Sequence, residues 1–409
     1  MFDFEGAAPP LASLRAPIVT RAHRVPSLRY RVAENGGKAH AAERFDPGAH
    51  VRHLLVTRRE EFDPAREQIL LRPLPEERPP WDIWLIQCGE QSFTVCFRSD
   101  HALRDGVAAA AVLRLLIADE PVDWSPRSSP STRTGLRGIV AVLGQTARAM
   151  RPLTPAPAFT GTASRIPHLL YQDIPLALLR GAARAHGATV NDVYLAALSE
   201  AVHRWHQDVT HQGHPSMPVT VPLSVRGRDQ APLVGNALVG ARLTLPCKDG
   251  GGVEGALDMV ISQTHRLRTI GYRGSARLVL DVLPRRLGAR LALRVAGAGS
   301  VGLLASNVDC GTALHFFALP ASQAQLFSAL ADGLRCYTAL TGYDSLARLT
   351  IVHDGSLTKM PRLGGHWAAA VRELADAPRK PRPTFVALAP SRRAVAPTMS
   401  AEEHHGAKD

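Results

Sequence analysis

Residues 79–106, PPWDIWLIQCGEQSFTVCFRSDHALRDG, decide how this chain folds. Trp81, Ile83 and Leu85 alternate with other residues, which predicts a half-buried strand. Gly89-Glu90 marks a turn. Beyond it Phe93, Val95 and Phe97 fall on one face and Thr94, Cys96 and Arg98 on the other, so a second strand returns as a hairpin partner. That strand ends near Ser99. Residues 107–118, VAAAAVLRLLIA, then read as a strong helix, with Asp105 placed to cap its N-terminus and Gly106 letting the backbone turn tightly. His101 therefore sits between a strand end and a helix start, at a mouth rather than in a core.

A histidine so placed suits proton transfer, which makes His101 a candidate catalytic base. The pattern His-x-x-x-Asp-Gly fixes only three positions in six, which by itself assigns no function.

Outward from this hairpin, residues 11–31 read as partly helical, with short strands at 29–32 and 50–57 and a proline-rich break at 75–80. From 120 to about 167 the composition shifts to Pro, Ser, Thr and Arg, as in an interdomain linker. Inside it an amphipathic helix at 136–150 sets Arg133, Arg137, Arg148 and Arg151 around Ile139-Val-Ala-Val-Leu. It either packs on the protein or lies on an anionic membrane. Thr189-Val-Asn-Asp192 is a capping box that opens the best helix of the chain, with Val193, Ala197, Val202 and Trp205 on its buried face. Strands at 219–223 and 238–245, helices at 255–270 and 276–295, strands at 302–307, 314–319 and 349–352 and a helix at 363–375 follow. Strands separated by helices make an α/β layered fold. The expected organisation is an N-terminal domain at 1–120, a linker at 121–167, a C-terminal domain at 168–377 and a disordered tail at 378–409, rich in Pro, Arg, Ala and Ser.

At 409 residues the chain exceeds one ordinary core, and two units of roughly 180 to 200 residues fit. Its 48 Lys and Arg against 36 acidic residues give a net charge of +12, but the excess is spread out. With no basic helix interleaved with aromatics, a basic surface is expected rather than a nucleic-acid partner. The five cysteines, Cys88, Cys96, Cys247, Cys310 and Cys336, are odd in number and lack Cys-x-x-Cys spacing, which argues against a disulfide framework or zinc site and for a cytoplasmic setting. The acidic, proline-bearing opening residues do not read as a signal peptide, and no apolar run approaches the roughly 18 residues of a membrane span, so a membrane would be met from the side. His203, His206, His211 and His214 cluster at a helix end and the following loop and read as solvated histidines rather than metal ligands. Asp249-Gly-Gly-Gly252 lacks the Lys-Ser/Thr of a phosphate loop and reads as a turn.

The HALRDG segment, with its preceding tryptophan strand, resembles the HHxxxDG signature of the wax ester synthase/diacylglycerol acyltransferase family. FDPGAHV (45–51), TVNDVYLAAL (189–198), VPLSVRG (221–227), GNALVG (235–240), LTLP (243–246) and SNV (306–308) are similar to further family segments, in the same order. The resemblance implies two chloramphenicol-acetyltransferase-like α/β domains forming a V around a central tunnel. It implies acyl transfer from a thioester, acyl-CoA or an acyl carrier protein, to a hydroxyl or amine, with no further cofactor. His101 takes the general-base position, and Asp105 a structural one, paired with an arginine for which Arg226 is the candidate. By the same resemblance Asn191 and Asp192 would line the tunnel. Asn236, Ser306 and Asn307 are candidate donors to a developing oxyanion, or else make loop and strand-end hydrogen bonds. Two departures stand out: Asp100 replaces the first motif histidine, and Asp309-Cys310-Gly311 follows SNV where the family has a Gly-Pro. Three functions fit: a lipid O-acyltransferase, a natural-product condensing enzyme, and a silent binding protein of the same fold.

Overall fold

A computed structural model describes residues 1–31, 40–120, 134–151, 153, 156–226, 235–246, 251–284, 287–288 and 302–378. Its first half runs β1 (Phe2–Glu5), α1 (Leu11–Ala22), β2 (Tyr30–Arg31), β3 (His40–Ala41), β4 (Val51–Val56), α2 (Phe62–Leu71), β5 (Trp81–Cys88), β6 (Ser92–Ser99) and α3 (Gly106–Ile117). β5 and β6 pair antiparallel from Trp81 opposite Ser99 to Cys88 opposite Ser92. Gly89 closes their turn at φ 53°, a conformation that disfavours side chains.

β5 departs from the half-buried strand expected of it, since both its faces are covered. Trp81, Ile83 and Leu85 pack with residues of α1 and α3, while Trp84, Ile86 and Cys88 pack with Phe62, Ala65 and Ile69 of α2. Asp82 makes the strand look amphipathic, yet it too is buried. Arg98 holds it through two hydrogen bonds at 2.9 and 2.5 Å, the kind of partner a buried carboxylate requires.

The second half runs α4 (Leu136–Ala149), β7 (Pro167–Pro175), α5 (Leu176–Ala185), α6 (Val190–Thr210), β8 (Met217–Ser224), β9 (Leu238–Leu245), α7 (Gly252–Thr269), α8 (Tyr272–Val282), β10 (Leu303–Asp309), β11 (His315–Phe316), β12 (Leu319–Ala324), β13 (Cys336–Tyr343), β14 (Leu346–Asp354) and α9 (Pro361–Asp376). Two six-stranded mixed sheets result, in the orders β11-β12-β1-β6-β5-β4 and β7-β14-β13-β10-β8-β9. The capping box forms at the start of α6: Thr189 Oγ1 accepts the Asp192 N–H at 3.1 Å and Asp192 Oδ2 accepts the Thr189 N–H at 2.9 Å. Behind it Val193, Ala197 and Trp205 join α5 and α9 in the core of the second sheet.

Two sequence expectations are corrected. The strand expected at 314–319 is the hairpin β11–β12, whose turn residues Phe317 and Ala318 take φ of 50° and 60°. Two-residue turns of this hand favour glycine or asparagine. Here the Asp119 carboxylate accepts both turn N–H groups, at 2.9 and 2.8 Å, so the usual signal is missing from the sequence. This hairpin pairs with β1, so residues from the expected C-terminal domain complete the N-terminal sheet. The helix expected at 276–295 begins at Tyr272 and stops at Val282, ahead of Pro284, which disfavours helical backbone before it. Residues 289–300, Cys247, positions 249–250 and the expected tail beyond 378 lie outside the described residues. The other four cysteines are buried free thiols.

β9 is an outer strand, and two glutamines stand where a further strand would. Gln145 of α4 pairs with the backbone N–H and C=O of Arg242, and Gln263 of α7 with those of Thr244. Such cover satisfies an edge that would otherwise recruit another chain.

Candidate active site

The chain between β6 and α3 is one tight turn. The Asp100 carbonyl accepts the N–H groups of Leu103 and Arg104, and Asp100 Oδ1 accepts the Ala102 N–H at 2.7 Å. Asp100 thus shapes the turn. His101 projects from it exposed, with Nδ1 3.1 Å from the Arg104 carbonyl oxygen. A carbonyl only accepts, so this contact assigns the ring proton to Nδ1 and leaves a lone pair on Nε2.

Asp105 ends the turn, 1 % exposed. Its Oδ1 accepts the Ala108 N–H at 2.9 Å and caps α3, while Oδ2 receives Arg226 Nη2 at 2.5 Å and the Ala237 N–H at 3.0 Å. Arg226 also donates to the Gly235 carbonyl at 2.6 Å, and Arg104 forms a backbone bridge to Gly235. Asn236 Nδ2 donates to the His101 carbonyl at 2.8 Å, its own Oδ1 accepting the Leu238 N–H. Residues flanking β8 and β9 of the second sheet therefore grip the turn of the first at His101, Arg104 and Asp105.

Gly106 has no left-handed backbone, so the tight-turn role expected of it is corrected. What it supplies is room: a Cβ there would lie 2.7 Å from Leu326 Cδ2 and 3.5 Å from Val308 Cγ2.

The remaining candidates divide. Asn307 on β10 donates to Asn191 Oδ1 at 3.4 Å, in an exposed position where β10 meets the start of α6. Asp192 and Ser306 are buried, and their side chains make the helix-start and strand hydrogen bonds that were the other reading of them. Asp192 serves the cap and accepts Thr264 Oγ1 at 2.7 Å, and Ser306 Oγ lies 2.6 Å from the Tyr337 hydroxyl.

Arg104 was not singled out by sequence. It is fully buried, donates to Ser27 Oγ at 3.3 Å, and its Nε and Nη1 have no hydrogen-bond partner among the described residues. Burial pulls its pKa down to about 10, opposed by the charge of Asp100. A charged residue at a variable position of HALRDG was the available signal.

The four histidines at the end of α6 and in the loop after it were expected to be solvated, and two of them are not. His211 takes a left-handed φ of 57° and turns the chain back, so that the His214 ring lies 4.4 Å from His206 and 5.4 Å from His203, tilted to each by 35° and 36°. His206 and His214 are buried, and desolvation lowers both pKa values, that of His214 to about 4. Among the described residues no three such side chains are placed to hold a metal. A cavity of about 300 Å³ lies away from the His101 turn, lined by Asp3, Arg66, Tyr171 and Arg348 among others. Its charges are already paired, Arg66 with Asp3 and Arg348 with Asp173, both at 2.7 Å.

Residues 3–142 match the wax ester synthase/diacylglycerol acyltransferase catalytic domain. This part of the chain is similar to that family's catalytic domain. A Mycobacterium tuberculosis protein with a provisional diacylglycerol O-acyltransferase name is 29% identical over 251 residues, 50% of this chain and 53% of that one. A second such protein from the same organism is 27% identical over 301 residues, 59% of each. The chain thus spans about half the length of the curated relatives it matches. The fold is shared with the wax ester synthase/diacylglycerol acyltransferase of Marinobacter aquaeolei VT8, at a TM-score of 0.60 and 17% identity over 91% of this chain and 92% of that one. It is shared equally with the first condensation domain of the calcium-dependent antibiotic synthetase, at 0.60 and 17% over 93% and 91%. The architecture is therefore the mixed α/β, chloramphenicol-acetyltransferase-like one, with two sheet-containing halves. No helix among the described residues is long and apolar enough to cross a membrane.

Proposed function

We propose that the chain is an acyltransferase that moves an acyl group from a thioester, acyl-CoA, to a hydroxyl acceptor such as a fatty alcohol or diacylglycerol, with His101 as general base. The observation that carries this reading is the His101 ring: exposed, hydrogen-bonded through Nδ1 to the Arg104 carbonyl, and set where both halves meet. Nε2 takes the proton of the acceptor hydroxyl as its oxygen attacks the thioester carbonyl carbon. The tetrahedral intermediate collapses with C–S cleavage, and the imidazolium returns the proton to the departing thiolate. Asp105 and Arg226 hold the turn and touch no reacting atom. Of the candidate oxyanion donors, Asn307 is exposed and Ser306 is spent on Tyr337.

Asp100 favours a second reading, a condensing enzyme acting on a carrier-protein thioester, because it places a carboxylate beside His101 where the lipid-acting family has a histidine. The purified chain is incubated with a panel of acyl-CoAs and long-chain alcohols or diacylglycerol, and free thiol is followed. Acceptor-dependent thiol release that falls ~10²–10⁴-fold in His101→Ala supports the proposal. Full activity in that variant overturns it. Turnover only with carrier-protein donors selects the condensing enzyme, and acyl-CoA binding without any turnover selects a silent binding protein.

A further inference from the structure

Among the described residues, α4 is built inside out. Leu136, Val140, Leu143, Ala147 and Met150 recur every three or four residues and form one stripe along the helix. That stripe faces outward: Leu136 is 78%, Val140 61% and Leu143 58% exposed. The opposite side does the packing, through Gly138, Val142 and Gln145. A Cβ on Gly138 would run into Ser275 and the Ile270 carbonyl, so α4 and α8 lie in close contact there. α8 also leaves Leu278 and Val282, four residues apart, exposed.

Residues 134–151 carry Arg137, Arg148 and Arg151 and no acidic residue. Arg137 and Arg148, three helical turns apart, stand roughly a quarter turn from the stripe on the same flank. We propose that α4 forms a docking surface for an anionic lipid bilayer, lying flat on its scaffold of α8 with its apolar stripe among the acyl chains and its arginines at the headgroups. The charge pattern selects this occupant over a second copy of the chain. A two-fold contact through α4 would bring arginines together with no carboxylate of residues 134–151 to receive them. α4 is tied to the strand that leads to the candidate site: Arg242 of β9 donates to the Arg148 and Ala149 carbonyls, and β9 starts just after the Asn236–Ala237 pair that holds the His101 turn.

The test needs no substrate and so does not depend on the acyltransferase reading. The full chain is co-sedimented with vesicles of phosphatidylcholine alone and of phosphatidylcholine with phosphatidylglycerol, at low and high salt. Binding to the anionic vesicles that weakens with salt is expected. Leu136→Ser/Leu143→Ser is expected to reduce the partition roughly tenfold or more, and Arg137→Gln/Arg148→Gln to reduce it on anionic vesicles only. Leu55→Ser, exposed on β4, serves as control and should leave it unchanged. Because all these side chains are exposed, unchanged circular dichroism and Tm certify the fold. Absence of binding by the intact chain overturns the proposal, as does binding indifferent to the leucine pair. So does a leucine variant that changes the sedimenting mass of the free chain while vesicle binding persists, which would make the face a self-association surface.

Discussion

Arg226 Nη2 lies 2.5 Å from Asp105 Oδ2, both side chains buried, and this pair ties the end of β8 to the cap of α3. Removing one partner of a buried ion pair strands the other charge and costs about 3–5 kcal/mol. Asp105→Asn keeps an acceptor for the Ala108 N–H, so the cap survives and the loss reports what Oδ2 holds, Arg226 together with the Ala237 N–H. A large fall in the urea midpoint is expected for Asp105→Asn and for Arg226→Met. The double variant should lose clearly less than the sum, and a double-mutant cycle measures the difference. Lost turnover at unchanged stability in Asp105→Asn would instead place Asp105 in the chemistry.

Gly106→Ala tests close packing where the sequence suggested backbone freedom. Its Cβ meets Leu326 Cδ2 at 2.7 Å, so one methyl group must displace the leucine at the junction of α3 with β10. Because the atom met is the far end of a half-buried leucine that can swing aside, a small loss of about 1 kcal/mol or less is expected. Leu326→Ala in the same chain should recover most of that specific loss, read as coupling in thermal unfolding. Additive effects of the two changes would exclude the contact as the cause.

Asn236 acts on the candidate base through the backbone, donating to the His101 carbonyl from an exposed position. Asn236→Asp keeps an acceptor for the Leu238 N–H and replaces the donor by a carboxylate that repels the carbonyl. Because the group is exposed, Tm should move little. Turnover should fall roughly tenfold, since small displacements of a positioned base are costly in rate. Equal turnover in Asn236→Asp and wild type would show that this tether does not position His101.

What the sequence made legible was whatever rests on local periodicity. The β5–β6 hairpin, the Asp105 cap and the Thr189–Asp192 box each follow from spacing within a few residues, and all three form. The contact of Asp105 with Arg226, 121 residues apart, was reachable only because a family resemblance supplied the pairing. β1, β7 and β13 were missed. β13 is buried along its whole length, and its mixture of threonine, alanine and leucine has no two-residue period. The hairpin β11–β12 was misread because Asp119, nearly 200 residues away, replaces the glycine or asparagine that would have announced its turn. Asp192 and Ser306 show the same limit for the site: the resemblance named the first and residue type the second, but only tertiary packing reveals their partners Thr264 and Tyr337.

The packed histidines make stability depend on pH between 6.5 and about 4. Desolvation holds the folded His214 near a pKa of about 4 against an ordinary value of 6.5, and lowers His206, helped little by the neighbouring His203 ring, which also opposes a second positive charge. Below 6.5 the unfolded chain therefore binds protons that the folded chain refuses. Stability is full above 6.5 and is lost as pH falls toward 4, by on the order of 2–3 kcal/mol for a shift of this size. Buried His50 and His353 are depressed in the same way, so the wild-type slope is a sum over sites. Asp354 is held below the ordinary carboxylate range by hydrogen bonds from Ser356, Ser164 and Arg165, and its contribution is lost only at still lower pH. His214→Asn removes one titrating ring while keeping a polar group beside the Pro215 carbonyl. Its Tm should fall less than that of the wild type between pH 6.5 and 4, and the two profiles should run parallel above pH 7. Identical slopes through the acidic window would show that His214 protonates as freely in the folded chain as in water.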